Sequence, residues 1–98
     1  MEPELGQFVV SAAGRDKGRY YIITEILNDT TVAVVDGYYR PVSKPKKKNI
    51  RHIMMTRVVS NSIREKLLQG IDITNEEVCE ALKAIKKARS ERAGCSNG

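Results

Sequence analysis

The chain has 98 residues, so it is expected to form one small domain with a modest core and little room for an elaborate enzyme pocket. It carries 17 Lys and Arg against 12 Asp and Glu, a net charge of +5. This excess is uneven, because residues 14–57 hold ten basic and four acidic residues, whereas residues 58–98 are nearly neutral. An anionic partner is therefore expected to meet the first segment.

The first half of the chain predicts short β-strands separated by turns. Gln7 to Ala12 and Arg19 to Leu27 are rich in β-branched and aromatic residues, and they flank a turn bracketed by Gly14 and Gly18. Thr31 to Val35 predicts a third strand. Turns, some of them containing glycine, separate these short segments.

A hairpin is predicted at Asp36-Gly37, after which Tyr38 to Val42 leads into a basic loop, Lys44 to Arg51. Ile50 to Thr56 predicts the last strand, with Ile50 and Met54 on one face. About five short strands predict a small closed barrel, which would leave no unpaired sheet edge.

The second half changes to helical periodicity. Ser62-x-x-Glu65 and Thr74-x-x-Glu77 both have the pattern of capping boxes, and Gly70 is expected to end the first helix. The second helix carries an apolar stripe at Val78, Leu82 and Ile85, which we expect to pack against the barrel. The alternative is that this stripe binds a protein partner.

These patterns predict a mainly β fold with C-terminal helices, divided into a barrel over residues 1–58, a helical extension over residues 59–90 and a flexible tail over residues 91–98. Apolar runs are too short to span a bilayer, and the N-terminus lacks the pattern of a signal peptide. Cys79 and Cys95 fit ordinary reduced thiols. We therefore expect a cytoplasmic protein that binds no membrane, metal or cofactor.

Two segments are candidates for binding phosphate. The turn Gly14 to Gly18 carries Arg15 and Lys17, beside backbone amides that can face an anion. The loop Lys44 to Arg51 carries three consecutive lysines, and Pro41 and Pro45 stiffen the backbone around it. Such lysines neutralise phosphates without reading sequence, although a solvated face has the same composition.

Aromatic residues accompany these cations, as Tyr20, Tyr21, Tyr38 and Tyr39. Unpaired RNA bases stack on such rings, but strand alternation turns only one of each neighbouring pair outward. His52 has no nearby nucleophile or paired acid, so we expect packing or hydrogen bonding there, with RNA contact as an alternative. The sequence does not predict an enzyme.

Leu5 to Leu27 resembles a KOW motif, with Gly6 before a strand and then Gly14-x-x-Lys17-Gly18. Val34 to Ile53 resembles the matching region of KOW-type large-subunit ribosomal proteins of archaea and eukaryotes, especially the fourteen-e family and its bacterial relatives. The resemblance extends to Thr74 to Val78 and covers about three quarters of the chain. It departs from many KOW motifs at Tyr21, where they have glycine.

The resemblance implies an SH3-like barrel that docks on structured ribosomal RNA through its loops. Asp16 is expected to cap its turn or orient Arg15. We expect an RNA-binding protein, either a ribosomal component or an accessory translation or assembly factor. Alternatives are a protein-interaction adaptor, which would use the barrel or an exposed C-terminal helix, and an enzyme accessory domain. The predicted RNA contacts are Arg15, Lys17, Arg19, Arg40, Lys44, Lys46, Lys47, Lys48, Asn49 and Arg51.

Overall fold

Five antiparallel strands followed by two helices make up the fold, which confirms the predicted class. The computed structural model describes residues 2–97, with the side chains of residues 2–88. The elements are β1 (Gln7–Ser11), β2 (Tyr20–Ile26), β3 (Thr31–Val35), β4 (Lys46–Asn49), a 3-10 turn (Ile50–His52), β5 (Ile53–Val59), α1 (Asn61–Gln69) and α2 (Asn75–Asn97).

The strands form one sheet in the order β4-β3-β2-β1-β5. The predicted closed barrel is wrong, because the edge strands β4 and β5 form no ladder with each other within residues 2–97. The 3-10 turn carries the chain between them: Ile50 N donates to Thr30 O, and Ala12 N donates to His52 O. These two bonds draw the ends of the sheet together without pairing the edge strands.

Strand β4 lies where the sequence predicts a loop. Lys46 pairs with Val34 and Asn49 pairs with Thr31, so the loop predicted over Lys44 to Arg51 is wrong. Lysine is depleted in most strands, yet it is common on edge strands, where its charge opposes pairing with another chain. Residues 38–42, predicted to lead into the basic segment as a strand, lie instead in the connection between β3 and β4.

Strand β5 differs from its predicted face assignment. Ile53 is buried and Met54 is 62% exposed, so Ile50 and Met54 do not line a common core face. The reason is that residues 50–52 form the 3-10 turn, so Ile50 precedes the strand and does not share its alternation.

Alternation along the strands builds two apolar clusters, one on each face of the sheet. Ile22 belongs to the cluster that includes the helices, whereas its neighbour Ile23 belongs to the cluster inside the curved sheet. Val78, Leu82 and Ile85 of α2 are buried in the first cluster. The prediction that this stripe packs on the sheet is confirmed, and the alternative of an exposed stripe is wrong.

The helix ends agree in part with the predicted caps. Ser60, rather than Ser62, caps α1, because its hydroxyl accepts from Ile63 N. Gly70 ends α1 as predicted, with a φ of 74°. Thr74 and Glu77 form the predicted capping box, and Glu77 also pairs with Lys66 of α1, so the two helices are linked.

The backbone of α2 continues through Asn97, past the tail boundary predicted at residue 91. The side chains of residues 89–98, which include the predicted tail and Cys95, lie outside the described residues. Cys79 has a free thiol. Across the described part of the chain, the helices are too short or too polar to cross a bilayer.

Candidate nucleic-acid interface

Two loops leave the sheet at the same end, because β1, β2, β3 and β4 are successive antiparallel neighbours. The β1–β2 loop comprises residues 12–19, and the β3–β4 loop comprises residues 36–45. Both loops carry basic residues that the sequence predicts as RNA contacts. We call the surface formed by their exposed cations, Arg15, Lys17, Arg40 and Lys44, the loop face.

Asp16 is the centre of a buried polar cluster between these loops. Its carboxylate accepts hydrogen bonds from Ser11 Oγ at 2.8 Å and Tyr21 Oη at 2.7 Å. It also pairs with Lys46 Nζ at 3.0 Å and Lys48 Nζ at 3.1 Å. The expectation that Asp16 caps the turn or orients Arg15 is therefore wrong. Its carboxylate instead joins the β1–β2 loop to side chains of β1, β2 and β4.

Hydrogen bonding controls the ionisation of this cluster. Burial alone would raise the pKa of Asp16, but hydrogen bonds from Tyr21, Ser11, Lys46 and Lys48 outweigh it and hold that pKa well below its usual range. Burial and the neighbouring Asp16 carboxylate raise the pKa of Tyr21 to about 12. Asp16 is thus ionised and Tyr21 protonated at neutral pH, which is the pairing their hydrogen bond requires.

Strand alternation places the three consecutive lysines of β4 in different environments. Lys48 is buried, and its ammonium also donates to Ser11 Oγ and Ala13 O. Lys46 is partly exposed, and Lys47 is exposed on the opposite side of β4. The structure therefore does not bring the three ammonium groups together on one surface. Lys46 and Lys48 are engaged in stabilising the fold.

The acidic residue of the β3–β4 loop is also buried inside the protein. Asp36 is buried, and its Oδ1 accepts from Tyr38 N at 2.9 Å and Arg40 N at 2.7 Å. The loop contacts α2, because Val42 N donates to Asn75 Oδ1 at 2.8 Å. Asp36-Gly37 therefore begins a compact turn within a longer connection, rather than the tight hairpin that the sequence predicts.

The remaining predicted contacts lie outside the loop face. Asn49 Oδ1 accepts from Arg51 N, so this asparagine caps the 3-10 turn. Arg51 is exposed in that turn, beside the β2–β3 connection to which Ile50 is hydrogen-bonded. His52 is also exposed there, so the packing expected for it is wrong, whereas its backbone oxygen accepts a hydrogen bond from Ala12 N.

The four tyrosines differ in burial according to whether they lie in a strand or in a loop. In β2, alternation places the two rings on opposite faces of the sheet, but Tyr21 is buried and Tyr20 packs partly buried against the cluster that includes the helices, rather than facing solvent. Tyr38 and Tyr39 are 77% and 63% exposed, so the alternation expected for them is wrong, because they lie in a loop. Arg19, another predicted contact, places its Cζ 4.1 Å from the centre of the Tyr39 ring and so links the two loops.

Sequence reasoning missed the contribution of α2 to this region. Lys83 and Lys86 line a small cavity together with Arg19, Tyr38 and Tyr39. The sequence contains a signal for this contribution, because Lys83 and Lys86 lie next to the apolar stripe of α2. Their proximity to the loops depends on how α2 packs across the sheet, and helical periodicity alone does not specify that packing.

Comparison with protein-family models and with curated proteins finds no match to this chain.

Proposed function

We propose that this protein binds RNA through the loop face. The observation that supports the proposal best is the opposite placement of acids and cations in the two loops. Asp16 and Asp36, the acidic residues of these loops, are 7% and 8% exposed and are both hydrogen-bonded inside the protein. The basic residues of the loop face point to solvent.

This placement favours a polyanionic partner on electrostatic grounds. Four exposed cations on adjoining loops repel one another, and a phosphate backbone relieves that repulsion while releasing its counterions. Of the two buried loop acids, Asp16 is neutralised by Lys46 and Lys48, so its charge does not offset the loop-face cations. The loops are also held by internal hydrogen bonds, so little conformational entropy is lost on binding.

The choice of RNA rests on the exposed aromatic residues and on the KOW resemblance. Tyr38 and Tyr39 lie beside the loop-face cations and offer rings on which unpaired bases stack. The resembling segments, residues 5–27 and 34–53, contain both loops. We therefore propose structured ribosomal RNA as the target and a cytoplasmic role as a ribosomal component or an accessory translation or assembly factor. The mechanism is binding without catalysis.

Amide chemical-shift mapping by NMR tests this proposal. On titration of the 15N-labelled protein with a ribosomal RNA hairpin, we expect the largest shifts in residues 14–19 and 36–44, because phosphates approach these loops. Amides near Arg57 and Arg64, at the opposite end of the sheet, serve as the internal control and are expected to move little. Absence of shifts, or shifts centred on that opposite end, would contradict the proposal.

A further inference from the structure

Tyr38 and Tyr39 form an exposed aromatic pair of defined geometry. Their ring centres are 4.7 Å apart and their planes are inclined at 87°. The Arg19 guanidinium lies over the Tyr39 ring and restrains it. Tyr38 is the more exposed of the two, so its ring is the more accessible platform.

The loop that carries this pair is built rigidly. Asp36 holds the backbone amides of Tyr38 and Arg40, and Asp36 N donates to Arg40 O at 3.0 Å, which closes the turn. The Cys79 thiol of α2 donates to Asp36 O at 3.7 Å. Exposure of the two rings is therefore a property of an ordered loop, and such a platform binds without first being ordered.

Helix α2 supplies cations to the same place. Lys83 and Lys86 are exposed and line, with Arg19 and both exposed tyrosines, a cavity of about 270 Å³. Lys86 Nζ also lies 5.9 Å from the centre of the Tyr20 ring. The cavity is also lined by Tyr20, Asp36, Cys79 and Leu82; we call the cationic and exposed aromatic part of its lining, Arg19, Tyr38, Tyr39, Lys83 and Lys86, the aromatic cradle.

We propose that the aromatic cradle holds one unpaired nucleotide of the bound RNA, with its base stacked on Tyr38 and its phosphate paired with Lys83 and Lys86. This inference rests on the proposed RNA-binding function and specifies which part of the RNA is recognised. A base within a duplex is stacked on both sides and cannot offer its face to a ring, whereas a base in a loop or bulge can. Flanking cations then fix the adjacent phosphate.

The test compares two fluorescein-labelled RNAs: a hairpin with unpaired loop nucleotides and a blunt duplex with the same stem sequence. Tyr38→Ala is expected to weaken hairpin binding about 5- to 150-fold, the range for losing one stacked base. Duplex binding is expected to change less than twofold. Tyr38→Phe keeps the ring and is expected to bind the hairpin within about twofold of the wild type, since stacking does not require the hydroxyl.

The neighbouring lysines provide a matched pair of variants. Lys86→Ala is expected to weaken hairpin binding and to lower the slope of log affinity against log salt by about 1, because it removes one cation that neutralises a phosphate. Lys87→Ala removes the same charge from an exposed position outside the cradle, and is expected to leave both quantities close to those of the wild type.

This experiment distinguishes failure of the RNA-binding function from failure of the nucleotide site in the aromatic cradle. If the wild type binds neither RNA, the RNA-binding function itself is wrong. If the wild type binds both RNAs and Tyr38→Ala binds the hairpin as tightly as the wild type does, the function stands and the aromatic cradle is refuted. Equal losses for Lys86→Ala and Lys87→Ala would refute the phosphate position in the cradle.

Discussion

Replacing Asp16 by asparagine is expected to lower the free energy of unfolding by about 3–5 kcal/mol, the usual cost of leaving a buried charge without its partner. Lys48 is 8% exposed, and the carboxylate at 3.1 Å is its counter-ion. A small domain has about 5–15 kcal/mol in total, so much of its stability depends on this cluster. Urea unfolding at pH 7 measures the change.

Two further variants isolate the cause. Asp29→Asn removes a carboxylate from an exposed turn and is expected to alter stability by less than about 0.5 kcal/mol. Adding Lys48→Met to Asp16→Asn removes the uncompensated ammonium and is expected to restore part of the loss. If Asp16→Asn is as stable as Asp29→Asn, the buried ion pair does not stabilise the fold as described.

The stability difference between the wild type and Asp16→Asn is expected to depend on pH. The pKa of Asp16 is lowered in the folded state, so its stabilisation is present above the unfolded pKa of about 3.9 and is lost as the pH falls below it. We expect the free energies of unfolding of the wild type and Asp16→Asn to differ less at about pH 3 than at pH 7, because the asparagine amide does not titrate. Urea unfolding at the two pH values measures this change. A constant difference between the two proteins would contradict this assignment.

Replacing Gly37 by alanine is expected to cost about 2–4 kcal/mol of stability, from a left-handed backbone and an overpacked contact. Gly37 has a φ of 78°. An added Cβ would lie 2.7 Å from Asn75 O and 2.9 Å from Cys79 Sγ. The backbone oxygen belongs to the first turn of α2, so the β3–β4 loop has to move away from the helix.

Gly18→Ala is the matched control for this change. Gly18 has a φ of 91°, but an added Cβ would meet no described atom within 4 Å. It is expected to show only the conformational cost, about 1–2 kcal/mol. Equal losses in the two variants, measured by urea unfolding, would show that close packing of the loop on α2 does not stabilise the protein.

Local patterns predicted much of this fold, because hydrophobic periodicity and turn chemistry act over a few residues. β3 has its predicted bounds, and the last residue of β1 and both ends of β2 differ from prediction by one residue. The stripe of α2 packs on the sheet because Phe8, Ile22 and Val35 present an apolar surface to it. Barrel closure failed as a prediction because it depends on long-range pairing of edge strands.

The candidate site was harder to predict, since its chemistry depends on residues distant in sequence. In the sequence, Lys48 is indistinguishable from the two lysines before it. In the structure, it is buried and paired with Asp16, which lies 32 positions earlier in the chain. The sequence identified Arg15, Lys17, Arg40 and Lys44, which are exposed, because exposed loop residues need no distant partner to be positioned. Lys83 and Lys86 were missed because the docking of α2 on the β3–β4 loop arises from tertiary contacts.

We propose that the exposed cations of the loop face bind phosphates, and the salt dependence of RNA binding measures those contacts. The pair Arg15→Ala and Arg40→Ala removes two loop-face charges. The pair Arg57→Ala and Arg64→Ala removes two exposed arginines from the opposite end of the sheet. The first pair is expected to make the negative slope of log affinity against log salt shallower by about 2, because each lost cation leaves one phosphate without its neutralising charge. The second pair is expected to leave this slope unchanged. Equal slopes for both double variants would contradict this proposal.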